Sequence, residues 1–185
     1  MESPLLDPAF GYLIVLGIAL LFAVAGSHKL RSLSRFTEVF AAYGVLPEGG
    51  ARRTAWLIAC VELATAAGLL WETSRGWALI AALVLLVAYA SAMAFNLARG
   101  RRELDCGCGA AGQRRSIAAW MVWRNGVLAL LVGIAALPWS PRTLDAADLL
   151  TIGGGLAASL MLYLAIDRLE GEVAPQAMSL GRRPS

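Results

Sequence analysis

Two cysteines one residue apart, Cys106 and Cys108, are the groups in this chain best suited to chemistry. They lie in Arg101-Arg102-Glu103-Leu104-Asp105-Cys106-Gly107-Cys108-Gly109-Ala110, a polar island between long apolar runs. Gly107 gives the backbone freedom to close the two sulfurs into a small, strained ring. Strained, accessible disulfides are labile and catalytic rather than structural. Arg101, Arg102, Arg114 and Arg115 favour the thiolate, and Asp105 opposes them. A thiolate serves disulfide exchange and also binds soft metals. Two sulfurs can hold Cu(I) or Hg(II) in a linear site, but they cannot complete tetrahedral zinc. Two incidental loop cysteines would give the same short motif, so the elements that position it have to decide between these readings.

Those elements are membrane spans. The chain has 185 residues, 58% hydrophobic and 16% charged, against roughly 45–50% and about 25% in an ordinary soluble domain. The net charge of +3 does not imply nucleic acid, because the basic residues sit in short loops between apolar runs. The N-terminus carries Glu2 and Asp7 and no basic residue before the first apolar run, so it does not read as a cleaved secretory signal. Three cysteines cannot build a disulfide framework.

The apolar periodicity predicts an all-α, polytopic transmembrane bundle over residues 1–166, with spans at about 10–26, 54–71, 77–98, 117–137 and 149–166. The fifth is the weakest of these spans and is rich in Gly153, Gly154, Gly155, Ala157, Ala158 and Ser159. Small residues of this kind let helix backbones approach closely. Leu33, Phe36, Val39, Phe40 and Tyr43 recur at helical spacing in the first loop. They predict a short amphipathic helix in the interface, stopped at Gly44. Glu72 to Gly76 reads as a tight connection, and 167–185 as a polar, mobile tail. Trp56, Trp71, Trp77, Trp120 and Trp139 fall near span ends and read as interfacial anchors.

Basic residues alternate by side. Lys29, Arg31, Arg35, Arg52 and Arg53 fall in the first loop, and Arg99, Arg101, Arg102, Arg114 and Arg115 in the motif loop. Arg168, Arg182 and Arg183 fall in the tail, and only Arg75 and Arg142 on the other face. The positive-inside rule places the N-terminus outside and the motif loop in the cytoplasm, in a multi-pass protein of the inner (plasma) membrane.

Glu62 and Arg124 lie within spans that start from the same face, both roughly 12 Å deep. Intramembrane charges pair or line a cavity, so a Glu62–Arg124 ion pair is expected, directly or through Asn125. Asn96, His28 and Lys29 gather in the same half, and the opposite half reads as nearly featureless. An interfacial His28 is also compatible with a plain polar helix end. An ion pair that only locks two helices together is the competing reading of Glu62 and Arg124. Cys60 reads as a small buried hydrophobe.

The order of these features resembles the methylamine utilisation protein MauE family, itself similar to DoxX-like membrane proteins. The residues that carry the resemblance are Ser27-His28-Lys29-Leu30, Tyr43-Gly44-Val45-Leu46-Pro47, Val61-Glu62-Leu63, Cys106-Gly107-Cys108-Gly109 and Arg124-Asn125. Together they span roughly residues 10–137. Matching positions are Lys29, Leu30, Pro47, Glu62, Cys106, Cys108, Arg124 and Asn125. The family motif commonly continues Cys-Gly-Cys-Phe-Gly, whereas here Gly109 is followed by Ala110. The resemblance implies a four-helix membrane core. It also implies a role in maturing the disulfide-rich small subunit of methylamine dehydrogenase, beside a thioredoxin-like partner.

The expected function is therefore that of a membrane thiol–disulfide protein, in effect a thiol–disulfide oxidoreductase, serving an exported client enzyme. Cys106 and Cys108 would be the redox pair. Arg124, Lys29 and His28 would stabilise thiolate or relay protons, supported by Glu62, Asn125 and Asn96. No cofactor is implied, and the expected partners are membrane lipid, the thioredoxin-like protein and the client. Soft-metal binding by Cys106 and Cys108 and a non-catalytic docking scaffold are the alternatives.

Overall fold

The structure, a computed structural model, describes residues 6–44, 50–101, 103–105 and 117–180, and over 166–180 it describes the backbone alone. The described residues form six helices. These are α1 (Pro8–Arg31), α2 (Leu33–Ala42), α3 (Ala51–Leu70), α4 (Glu72–Ala98), α5 (Ala119–Ala135) and α6 (Ala146–Leu180). Helices α1, α3, α4 and the first part of α6 (Ala146–Ala165) are long and apolar enough to cross a bilayer. Helix α5 is shorter, about 25 Å at 1.5 Å per residue. The chain is thus a multi-pass membrane bundle, with α2 as the short helix of the first loop.

Helix α1 is the centre of the bundle and packs on α3, α5, α6 and α2. Asp7 starts it by accepting a bond from the Ala9 amide at 2.9 Å, and Pro8 occupies the first turn, where a missing N–H costs nothing. Val15, Ile18, Ala19 and Phe22 of α1 meet Ala66 and Leu69 of α3, Ala78, Ala82 and Leu86 of α4, and Val132 and Ala135 of α5. The outer surface is equally apolar, with Leu57, Val84, Leu130 and Leu150 all exposed. An apolar exterior over an apolar core is the pattern expected in hydrocarbon. Association there relies on close packing, so small residues sit at the crossings. A β-carbon on Gly26 would lie 3.0 Å from the Ala59 carbonyl oxygen and 2.9 Å from Leu63. On Gly155 of α6 it would lie 2.9 Å from Leu13, whereas Gly153 and Gly154 face open space. Only part of the small-residue stripe of α6 is therefore used within the chain.

Several boundaries differ from the sequence expectation. The first helix continues past Gly26 through Ser27-His28-Lys29 to Arg31. The connection expected at 72–76 is a one-residue break at Trp71. Glu72 to Gly76 are already helical, and Ser74 donates back to the Gly68 carbonyl at 2.8 Å. Helix α6 begins at Ala146 and runs on as helix to Leu180, so the first part of the expected mobile tail is helical. Helix α2 packs on α3, with Phe36 buried; it ends at Ala42, and two residues on the chain turns away at Gly44 in the left-handed conformation that glycine permits (φ 65°). Its apolar face is thus partly consumed by the bundle.

The half opposite the cysteine loop is not featureless. Leu6 pairs with the strand-like segment after α5, through Leu6 N–H to Pro138 at 2.8 Å and Ser140 N–H to Leu6 at 2.9 Å. Arg142 bridges Asp7 (2.8 Å) and Asp148 (2.6 Å), and this guanidinium holds the Asp7 carboxyl below its ordinary range. The Arg75 guanidinium lies over Tyr12 (5.2 Å) and Trp139 (4.8 Å). Trp139 is half-buried against Tyr12 and donates to the Ala135 carbonyl at 3.0 Å, so it is a packing residue as much as an anchor. The two basic residues of this face were legible as charges. Asp148 is close to Arg142 in sequence, but Asp7 and the aromatic partners of Arg75 come from distant parts of the chain.

The crossing at Gly26 sits one turn before Lys29. Gly26→Ala should lower stability by about 1–3 kcal/mol, because the neighbour to be moved is backbone. Gly154→Ala should leave stability unchanged or slightly raised. Unfolding of the purified protein in detergent micelles measures both.

Candidate functional site

Three helices bring three polar side chains together inside the bundle. Lys29 comes from the last turn of α1, Glu62 from the middle of α3 and Tyr89 from α4. Lys29 is 4% exposed and Glu62 0%. The Lys29 ammonium donates to Glu62 Oε1 in a direct, buried ion pair. The Tyr89 hydroxyl donates to the same oxygen at 2.6 Å, and Lys29 Nζ lies 3.3 Å from that hydroxyl. The ammonium also stands over the rings of Phe36 (5.2 Å) and Tyr89 (4.9 Å). The cation is thus enclosed by one carboxylate, one hydroxyl and two aromatic faces, each of which stabilises positive charge. The carboxylate is less completely satisfied: among the described residues Glu62 Oε2 has no hydrogen-bond partner.

This geometry replaces the expected Glu62–Arg124 pair. Helix α3 packs on α1 and α4, whereas α5, which carries Arg124, packs on α4 and α1. Glu62 therefore looks toward Lys29 and Tyr89. Placing the end of the first span at Gly26 put Lys29 in a loop. In the bundle its long side chain reaches back along α1 from the helix end, the snorkelling geometry run inward. Arg124 is half-buried and stacks on Trp120 at 5.2 Å, which makes Trp120 a partner of the arginine rather than a plain anchor. Its Nε is buried and without a partner among the described residues.

The remaining expected residues are at the same end of the bundle. Asn96 is fully buried. It donates to the Ala92 carbonyl at 3.0 Å and accepts from Arg101 at 3.3 Å, which fixes the turn leaving α4. Gly100 turns that corner at φ 74°. Asn125 is buried and donates to the Met121 carbonyl at 2.8 Å. Both asparagines bond within or just beyond their own helices. His28 is half-buried, and its carbonyl accepts from Ser32 at the end of α1. Cys60 is half-buried rather than fully buried.

Cys106 and Cys108 lie outside the described residues. The chain on either side of them is described. The Ile117 amide donates to the Leu104 carbonyl at 2.9 Å, closing the loop at its base. Arg35 of α2 bonds Asp105, the residue before Cys106, at 3.1 Å. Tyr43, Met93, Ile117 and Met121 pack together below this base, with Leu104 and Tyr89 against them. The loop thus leaves and returns at the Lys29 end of α1.

Three participants were missed in the sequence. Tyr89 could have been suspected, because it is a phenol in the aliphatic run of α4, and a buried hydroxyl needs a partner. Arg35 and Phe36 had been placed on a helix in the interface. Neither residue carries a sequence signal for which partner each would meet.

Removing one member of a buried pair leaves the other charge uncompensated. Lys29→Met or Glu62→Gln should each cost about 3–5 kcal/mol, and the double variant Lys29→Met/Glu62→Leu should recover much of the loss. Arg124→Gln combined with Glu62→Gln should be additive to within about 0.5 kcal/mol, as for independent sites. Unfolding free energies in one detergent give all of these terms.

Comparison with known proteins agrees with this architecture. The family model of methylamine utilisation protein MauE matches residues 7–139, which include α1 to α5. Methylamine utilization protein MauE of Paracoccus denitrificans is 35% identical over 179 residues, 95% of each chain. The Paracoccus versutus protein of the same name is 37% identical over 174 residues, 92% of each chain. That of Methylophilus methylotrophus is 32% identical over 173 residues, 92% of this chain and 91% of its own. No solved structure matches. With a family match over most of the bundle and relatives alike from end to end, the chain belongs to the MauE family of membrane proteins.

Proposed function

We propose that this chain is a membrane thiol–disulfide protein that supports maturation of an exported redox enzyme in methylamine utilisation. The observation that carries this reading is the pinning of the Cys106–Cys108 loop, through its flanking residues Leu104, Asp105 and Ile117, at the end of the bundle where Lys29 and Glu62 are buried beside Tyr89. The printed name of the relatives supplies the metabolic setting.

The step is disulfide exchange with a thioredoxin-like protein. One thiol of the pair loses its proton, and the thiolate attacks a partner disulfide, breaking that S–S bond and forming a mixed disulfide. The second thiolate then attacks the mixed disulfide and displaces the partner's remaining sulfur as thiolate. The pair loses two electrons and two protons, and the partner gains them as a dithiol. The same exchange run backwards reduces the pair. Lys29 is committed to Glu62, so Arg124, which has no carboxylate partner among the described residues, is the cation left to favour a thiolate, with His28 as a proton carrier. Glu62 acts by holding Lys29 rather than Arg124. The charge distribution favours an inner-membrane protein with this loop on the cytoplasmic face.

Cys106→Ser and Cys108→Ser should each abolish maturation of the client enzyme while the protein remains at normal level in the membrane. Client activity and membrane immunoblots measure this. Full maturation in both variants would sink the proposal.

A further inference from the structure

The basic residues at the cysteine end are more than a topology signal. Arg52 and Arg53 stand in the first turn of α3 and are exposed, and Trp56 lies one turn deeper, 50% exposed on the outside of the bundle. Helix α4 packs on α3 and returns along it after the one-residue break at Trp71, so its C-terminal end is on the same side of the bundle. There Arg99 is exposed with its guanidinium carbon over the ring of Phe95, 4.2 Å from the centroid, and Phe95 itself is 51% exposed. Both helices therefore present guanidinium groups at their ends with a large exposed ring one turn below. Among the described residues none of these three guanidiniums pairs with a carboxylate. Their positive charge is thus uncompensated where the apolar outer surface of two membrane-spanning helices ends.

We propose that Arg52, Arg53 and Trp56 of α3, with Phe95 and Arg99 of α4, form a seat for an anionic phospholipid. The guanidiniums would bind the phosphate and the rings would lie at the level where headgroup meets acyl chain. Guanidinium and phosphate match in charge and in hydrogen-bond geometry. Aromatic rings are favoured at that depth of a bilayer. A soluble phosphate compound offers the same anion without the acyl chain, and the exposed rings favour the lipid. Binding at this seat involves neither Cys106 nor Cys108 and stands whether or not the pair is redox-active.

The test is thermal unfolding of the full-length protein in mixed micelles titrated with phosphatidylglycerol, phosphatidylcholine or soluble glycerol phosphate. Phosphatidylglycerol should raise the midpoint, with little response to the other two, and added salt should weaken the effect. The variant Arg52→Gln/Arg53→Gln/Arg99→Gln should bind roughly 100-fold more weakly, at about 1 kcal/mol for each arginine near the surface. The matching triple Lys variant, which keeps the charge, should retain most of the response and shows that the Gln variant is not simply misfolded. Equal stabilisation by phosphatidylcholine, equal stabilisation by glycerol phosphate, or a Gln variant that responds like the wild type would each overturn the proposal.

Discussion

A buried ion pair constrains everything around it. Lys29 and Glu62 sit inside an apolar bundle, where an isolated charge would cost several kcal/mol even after relaxation. Each must therefore be held within bonding distance of the other, and the helices that carry them must cross at fixed register. Gly26, one turn before Lys29, lets α1 come close enough to the Ala59 carbonyl of α3 for this to happen. Tyr89 brings α4 into the same arrangement, and Phe36 brings α2 against the ammonium. Four helices are thus registered by one buried cluster, although most of their contact area is aliphatic.

The two ends of the bundle solve different problems. The end opposite the cysteine loop is closed by surface chemistry: Arg142 between two aspartates, and Arg75 over two aromatic rings. The Arg142 bridges are exposed and screened, so they orient the segments around α6 more than they stabilise them. At the other end Lys29, Glu62, Asn96 and Asn125 are buried, and Leu104 and Ile117, which flank the cysteine loop, are joined by a hydrogen bond. Arg35 and Phe36 are neighbours on α2. One bonds Asp105 at the base of the loop, and the other covers Lys29. A shift of α2 would therefore be felt by both the loop and the buried pair.

Much of this was legible in the sequence. The apolar runs mark the spans, Leu33, Phe36, Val39 and Phe40 mark α2, and Lys29 and Glu62 read as lying in the same half of the bundle. Pairing was harder to read. Glu62 and Arg124 lie at similar depth, and depth is all that a one-dimensional reading supplies. Which helix faces which depends on the packing order, and that order sets α3 against α1 and α4. The terminal turn of α1 was lost because Ser27-His28-Lys29 reads as polar, although a helix end in a bundle can carry a buried lysine if its counter-ion is waiting. The helical extension of α6 to Leu180 was missed for a related reason, since polarity ends a span without ending a helix.

The proposed function requires Cys106 and Cys108 to act as a reversible thiol–disulfide couple. Purified protein equilibrated across ratios of reduced and oxidised dithiothreitol, then trapped with an alkylating mass tag, tests it directly. A working couple gives one reversible two-electron transition in which both thiols appear and disappear together within a monomer, with Cys60 unchanged. Two thiols that stay reduced at every ratio, or that oxidise only into cross-linked dimers, would contradict it.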